Sequence, residues 1–192
     1  MRMTALRFSL SILLLTALPA ISTAAFAQAT AAHDLPPPCQ AQQEFSRHAE
    51  AIIARQINAA RARMMPGAPA LRPDEQLSRI AEMRSCELAR AGKALSHLDD
   101  KGHFESADII YSLFGPYGSV AENLMQMRLP AAAEAAALDA ETFAMRAADL
   151  WLKSPEHRPH ILDPRYNLSG IGVAMVGGEA VATQVFRGPP SH

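Results

Sequence analysis

The sequence predicts an α+β domain, and three observations carry that expectation. Apolar residues recur at helical spacing in three stretches, 40–64, 74–92 and 131–153. Two β-like runs, 169–176 and 180–186, flank the turn signal Gly177-Gly178. The sequence shows no internal repeat and no second domain, so one domain with segregated helices and hairpin accounts for the rest of the chain.

The first segment is not part of that domain. Arg2 and Arg7 precede an uncharged run rich in Leu, Ile and Ala, which closes on Ala25-Phe26-Ala27. That is the layout of a secretory signal peptide, with cleavage expected before Gln28. The apolar core is too short for a comfortable bilayer span, which needs roughly 20 residues. Residues 28–39 lack periodicity and include Pro36, Pro37 and Pro38, so they read as a flexible linker. The domain is expected over 40–186, and 187–192 is a tail.

Within it, Phe45, Ala49, Ile52, Ile53, Gln56 and Ala60 mark one stripe of a first helix, which Pro66-Gly67 ends. Asp74-Glu75 after Pro73 starts a second helix through Leu77, Ile80, Ala81 and Leu88, with Gly92 as its stop. Residues 95–118, dense in Gly, Asp and aromatics, read as a long irregular loop, a kind of segment more often functional than passive. A short strand is expected at 119–127. A third helix follows over 131–153 and is ended or kinked by Ser154-Pro155.

Composition excludes several classes. The net charge is −1, and loss of Arg2 and Arg7 with the leader makes it −3, so nothing favours a nucleic-acid partner. Beyond the leader no segment is expected to span a membrane, which predicts a secreted or periplasmic protein, not an integral membrane one. Cys39 and Cys86 would both reach an oxidising compartment, where a single bridge is expected; the alternative is two unpaired thiols. Cys86 lies nine residues after Leu77 and so turns away from it on a helix, where it would meet a segment crossing the helix's outer side.

Nucleotide-binding glycine loops, HExxH and GxSxG are absent. No serine or cysteine is placed as a convincing nucleophile, which leaves metal-assisted hydrolysis as the one catalytic route open. Trp151 reads as a core plug, and Met64, Met65, Met125 and Met127 as gap fillers. Asn123 is expected to satisfy loop backbone, and Arg158 to pair a carboxylate such as Asp163.

Six segments in order carry a resemblance: Ile57-Asn58-x-x-Arg61, Ser96-His97, Ala121-Glu122-Asn123-Leu124, Trp151-x-x-Ser154-Pro155-x-His157-Arg158-x-x-Ile161-Leu162, Ile171-Gly172-Val173 and Thr183-Gln184-Val185-Phe186. Together they resemble the CAP superfamily, which comprises the cysteine-rich secretory proteins, antigen 5 and pathogenesis-related plant proteins, with many bacterial secreted members. The resemblance implies an α-β-α sandwich, a small antiparallel sheet between helical layers.

It also implies a cleft. In the animal and plant branches two His and two Glu line it; here His97 matches the first His and Glu122 the first Glu. The second Glu falls on Ser154 and the second His on Val181. The sequence resembles the bacterial branch, whose Ser-Pro-x-His-Arg segment supplies a histidine, His157. Two imidazoles and a carboxylate from His97, His157 and Glu122 are able to ligate a divalent metal such as Zn²⁺, or to hold one another by hydrogen bonds. His103 and His160 are expected as exposed loop residues, and His33, His48 and His192 lie outside the motifs.

Three functions follow as expectations. One is a binding or interaction module for a small apolar or lipid-like ligand or an extracellular protein partner. Another is a metal-dependent, protease-like hydrolase at His97, Glu122 and His157. The last is an envelope structural protein with an inert cleft.

Overall fold

The computed structural model describes residues 35–99, 101–115, 118–129 and 138–189. The leader reading at 1–27 and most of the linker and tail readings lie outside the described residues. In chain order the elements are α1 (Pro37–Gln40), α2 (Gln43–Met64), β1 (Arg72–Pro73), α3 (Glu75–Ala91), α4 (Glu105–Phe114), β2 (Val120–Arg128), α5 (Ala140–Lys153), α6 (Arg158–Ile161), β3 (Leu168–Val176) and β4 (Glu179–Arg187).

The sheet runs β1-β3-β4-β2. β3 and β4 form the hairpin at Gly177 and Gly178, whose positive φ angles of 57° and 87° suit a two-residue turn of this hand. β2 pairs antiparallel with β4 over its whole length. β1, two residues long and pairing parallel with the start of β3, extends the expected antiparallel sheet to a mixed four-stranded one.

Alternation along β4 divides the core into two layers. Ala180, Ala182 and Phe186 join a large cluster with Ile53, Ile57, Phe143, Ala147 and Trp151 from α2 and α5. Val181 and Val185 face the other side, toward Ala89, Leu77 and Ile80 of α3 and Ile110 of α4. Trp151 is 1% exposed and its Nε1 donates to the Leu124 carbonyl at 3.0 Å, which bears out the core-plug reading.

α3 starts where Asp74 caps it, accepting from the Leu77 N–H, and ends at Gly92 in the left-handed region. It lies directly on β3. A Cβ at Gly170 or Gly172 would come within 2.0–2.1 Å of helix backbone at Leu77–Ser78 or Ala81–Glu82, so this approach requires glycine. Ser85 rides in the same contact, donating to Gly172 O and bonded to the Thr183 hydroxyl, both at 2.8 Å.

The motif residues of α2 tie the layers to their loops. Asn58 makes a two-way bond with the Leu71 backbone, donating at 3.0 Å and accepting at 2.9 Å. Arg61, 1% exposed, donates to the carbonyls of Ile161, Asp163, Pro69 and Tyr166. Both residues are structural tethers.

Several expectations need correction. The stretch 95–118 is not all loop, because α4 occupies Glu105–Phe114. The third helix is described from Ala140, capped by Asp139, and its expected start at 131 lies outside the described residues. Asp163 pairs with Arg165, its neighbour two residues on, rather than with Arg158. Met64 is exposed rather than filling a gap.

Cys39 and Cys86 are joined, with Cα atoms 5.8 Å apart and a sequence separation of 47. The bridge is buried beside Ala89, Ala174 and Val181, so Cys86 faces a small core and not the outside of its helix. α1 brings Cys39 there, and Leu35 packs against the same cluster.

Candidate functional site

β2 forms one edge of the sheet, and its successive residues Glu122 and Asn123 point to opposite faces. Each side chain holds a histidine, so the edge gathers polar groups from both layers.

On the α4 face the Glu122 carboxylate is buried, with 2% of the residue exposed. One oxygen accepts from the Ser106 hydroxyl of α4. The other faces His97 Nδ1 at 2.9 Å. A carboxylate only accepts, so Nδ1 carries the proton, and in the neutral form of the ring Nε2 is then the unprotonated nitrogen. The His97 side chain is 48% exposed, and its ring meets Phe104 edge-on at 6.3 Å.

Arg84 sets this arrangement from α3. Its guanidinium is buried, with 5% of the residue exposed, and donates to Glu105 at 2.9 Å and to the Ser96 carbonyl at 2.6 Å. Those residues directly precede Ser106 and His97. One cation therefore positions both groups that engage Glu122. Glu105 is pushed above the usual carboxylate range by burial first and then by the charge of Glu87.

On the other face Asn123, 0% exposed, donates to the His157 carbonyl at 3.3 Å and takes a hydrogen bond from His160 Nδ1 at 2.9 Å. This bears out the reading of Asn123 as a loop-satisfying amide. His160 is thereby corrected: it is half-buried at α6, not an exposed loop residue. The signal for it was the three-residue spacing of His157 and His160, which sets both beside one edge. His103 is exposed, as expected.

Ser154, where the family pattern has a second glutamate, holds His157. Its Oγ accepts from the backbone N–H groups of Glu156 and His157, each at 3.2 Å, and lies 2.8 Å from His157 Nδ1. With its lone pairs engaged, the hydroxyl donates to Nδ1, which leaves the neutral His157 proton on Nε2. Burial holds His157 and His160 below the ordinary imidazole range, and a proton on His97 would lower both further by charge repulsion. The three rings thus share one electrostatic neighbourhood.

A metal held by His97, Glu122 and His157 would need a free electron pair from each. Each Glu122 oxygen already takes one hydrogen bond, from His97 or Ser106, and His157 Nδ1 is bonded to Ser154, which leaves the second lone pairs of the carboxylate and the Nε2 atoms of the rings outside these bonds. Among the described residues no group of three or more His, Cys, Asp or Glu is placed to hold a metal ion. As placed, these side chains bond one another and their neighbours as a hydrogen-bonded polar knot. Ser106 is 1% exposed and committed to Glu122, and both cysteines are in the bridge, so none of these is a free nucleophile.

Known proteins share this fold. The family model for the cysteine-rich secretory protein family, CAP, matches residues 54–186. No curated protein matches the sequence. Among solved structures, an outer surface protein from Borrelia burgdorferi is similar with a TM-score of 0.58 and 15% identity, over 73% of this chain and 92% of that one. An extracellular protein containing a SCP domain from Bacillus anthracis is similar with a TM-score of 0.56 and 19% identity. That match covers 80% of this chain but 44% of the Bacillus protein, so it spans less than half of it. At these identities the likeness is one of fold.

Proposed function

The chain belongs to the cysteine-rich secretory protein (CAP) family, and from that premise we propose that it is an exported binding module. Its His97–Glu122 cleft presents a preset imidazole to a small apolar or lipid-like ligand or to an extracellular partner. The observation that carries this reading is the 2.9 Å bond between buried Glu122 and half-exposed His97, which fixes the ring and leaves Nε2 outside that bond. Leu98, 50% exposed, and Phe104 give the rim an apolar surface beside that acceptor. A preset polar atom with apolar neighbours suits recognition of an amphiphile, because little side-chain freedom is lost on binding.

Export is supported by the leader pattern before Gln28 and by the buried disulfide. No helix among the described residues is long and apolar enough to cross a membrane. The names of the similar structures, an outer surface and an extracellular protein, point the same way.

The test is mass spectrometry of solvent extracts from the purified full chain and from His97→Ala. The expected result is a discrete co-purifying molecule in wild type that falls by roughly tenfold in the variant, about the worth of one hydrogen bond in a desolvated site. Equal or empty extracts from both, at matched yield, would instead favour an inert structural cleft.

A further inference from the structure

The opposite edge of the sheet holds a second feature. β1 covers β3 at two positions, Leu168 and Ser169, and leaves the rest of that edge facing α2. A cavity of about 300 Å³ lies there, walled by Ala51, Ala54, Ile57, Leu71 and Ile171. Gln184 lines it from β4. That side chain is 1% exposed; its Nε2 donates to Ser169 Oγ at 3.0 Å, while its buried Oε1 has no partner among the described residues. Buried acceptors are seldom left unpaired, and this residue borders a chamber whose largely apolar surface is interrupted by Arg47, Glu50, Asn58, Ser78 and Ser169.

Glu50, Arg47 and Ser78 line both this cavity and a neighbouring one of about 490 Å³, which also meets Glu75, Arg79 and Glu82. The second space is charged, so the apolar chamber adjoins a polar vestibule. Glu50 stands at their boundary and accepts from the Val173 N–H at 2.9 Å, capping β3 where β1 no longer covers it.

We propose that the cavity is a ligand site for a compact, neutral, apolar molecule bearing one hydroxyl, of the class of small phenols and alcohols, which donates to Gln184 Oε1. Each attribute follows from a wall. The volume lies at the lower end of ligand pockets, roughly 300–1,000 Å³, which limits the occupant to about one ring. The orphan acceptor demands a donor. Arg47 and Glu50 line the cavity with opposite charges, so net charge favours neither an anion nor a cation, and either would lose hydration against the alanine, leucine and isoleucine side chains. The site is distinct from the histidine cleft and does not depend on it.

The experiment titrates the full chain with p-cresol and, separately, with toluene, following backbone amide shifts. Saturable p-cresol binding with shifts at Ala54, Ile171 and Gln184 is expected, and toluene should bind roughly tenfold more weakly for want of the hydroxyl. Ala54→Phe fills the chamber and should abolish the p-cresol shifts. Gln184→Met, which removes the acceptor at similar volume, should erase the preference between the two probes while toluene still binds. Absence of saturable binding by either probe, equal binding of both to wild type, or shifts centred on His97 and Leu98 would overturn the proposal.

Discussion

Glu50 shows how one half-buried carboxyl ties stability to pH. Burial pushes its pKa up to about 7; the Glu82 charge adds to the rise, while the Val173 N–H and Arg47 oppose it. The folded state therefore holds a proton that the unfolded chain releases near the ordinary glutamate value of about 4.5. A raised carboxyl carries no penalty below the unfolded value and its full penalty above the folded one, so this group's contribution declines between about pH 4.5 and 7. Glu50→Gln keeps an acceptor for Val173 and removes the charge. Urea unfolding at pH 8 is expected to show the variant more stable by as much as about 3 kcal/mol, with the difference vanishing by about pH 4. Equal stability at both pH values would refute the raised-acid reading. His157 and His160 have the opposite sense. Their lowered values favour the neutral rings, so their contribution is complete above about pH 6.5 and is lost as pH falls through the folded values.

Among the elements, the contact of α3 with β3 is the least tolerant. Gly172→Ala would place a Cβ about 2.1 Å from the backbone of Ala81 and Glu82, and backbone has no rotamer by which to move aside. The helix must shift bodily, and Ser85 would lose its bonds to Gly172 and Thr183. A loss of at least about 2 kcal/mol is expected in equilibrium urea unfolding. Gly172→Ala at wild-type stability would mean that α3 does not lie on β3 as described.

The elements also show what the sequence makes legible. α2, α3 and the β3–β4 hairpin are periodic and punctuated by Asp74, Gly92 and Gly177-Gly178, and they stand close to where the pattern places them. α4 escaped because its N-cap is Phe104, with no side-chain cap, and its flanks are rich in Gly and Asp. β1 is two residues long and contains Pro73, below what any alternation reveals. At the site, Glu122 and His97 are readable from the motifs. The pairing of Asn123 with His160 depends on which face of an edge strand each residue takes, and the Gln184 chamber on how α2 meets β3. Neither is local, so neither is written in the spacing.

Across the molecule, the disulfide fastens the described N-terminal end to the helix on the far layer of the sheet. Closing a 47-residue loop contributes about 4 kcal/mol in the chain-entropy model. Cys39→Ser with Cys86→Ser is expected to lower the urea midpoint correspondingly, whereas the native protein should resist a thiol reagent until it is denatured and reduced. Labelling of the native chain by such a reagent would show the bridge to be absent. The two sheet edges then divide the molecule's chemistry: the β2 edge carries the hydrogen bonds of Glu122 to His97 and Asn123 to His160, and the uncovered part of β3 borders the cavity at Gln184.

The His97–Glu122 bond is central, and histidine ¹⁵N spectroscopy of the full chain above the imidazole titration tests it most directly. His97 bonded through Nδ1 to Glu122 is expected as the Nδ1–H tautomer, with an unprotonated Nε2, and Zn²⁺ should leave its signals in place. An Nε2–H tautomer in the wild type, or coordinated shifts at both His97 and His157 on adding Zn²⁺, would contradict a preset hydrogen-bonded cleft.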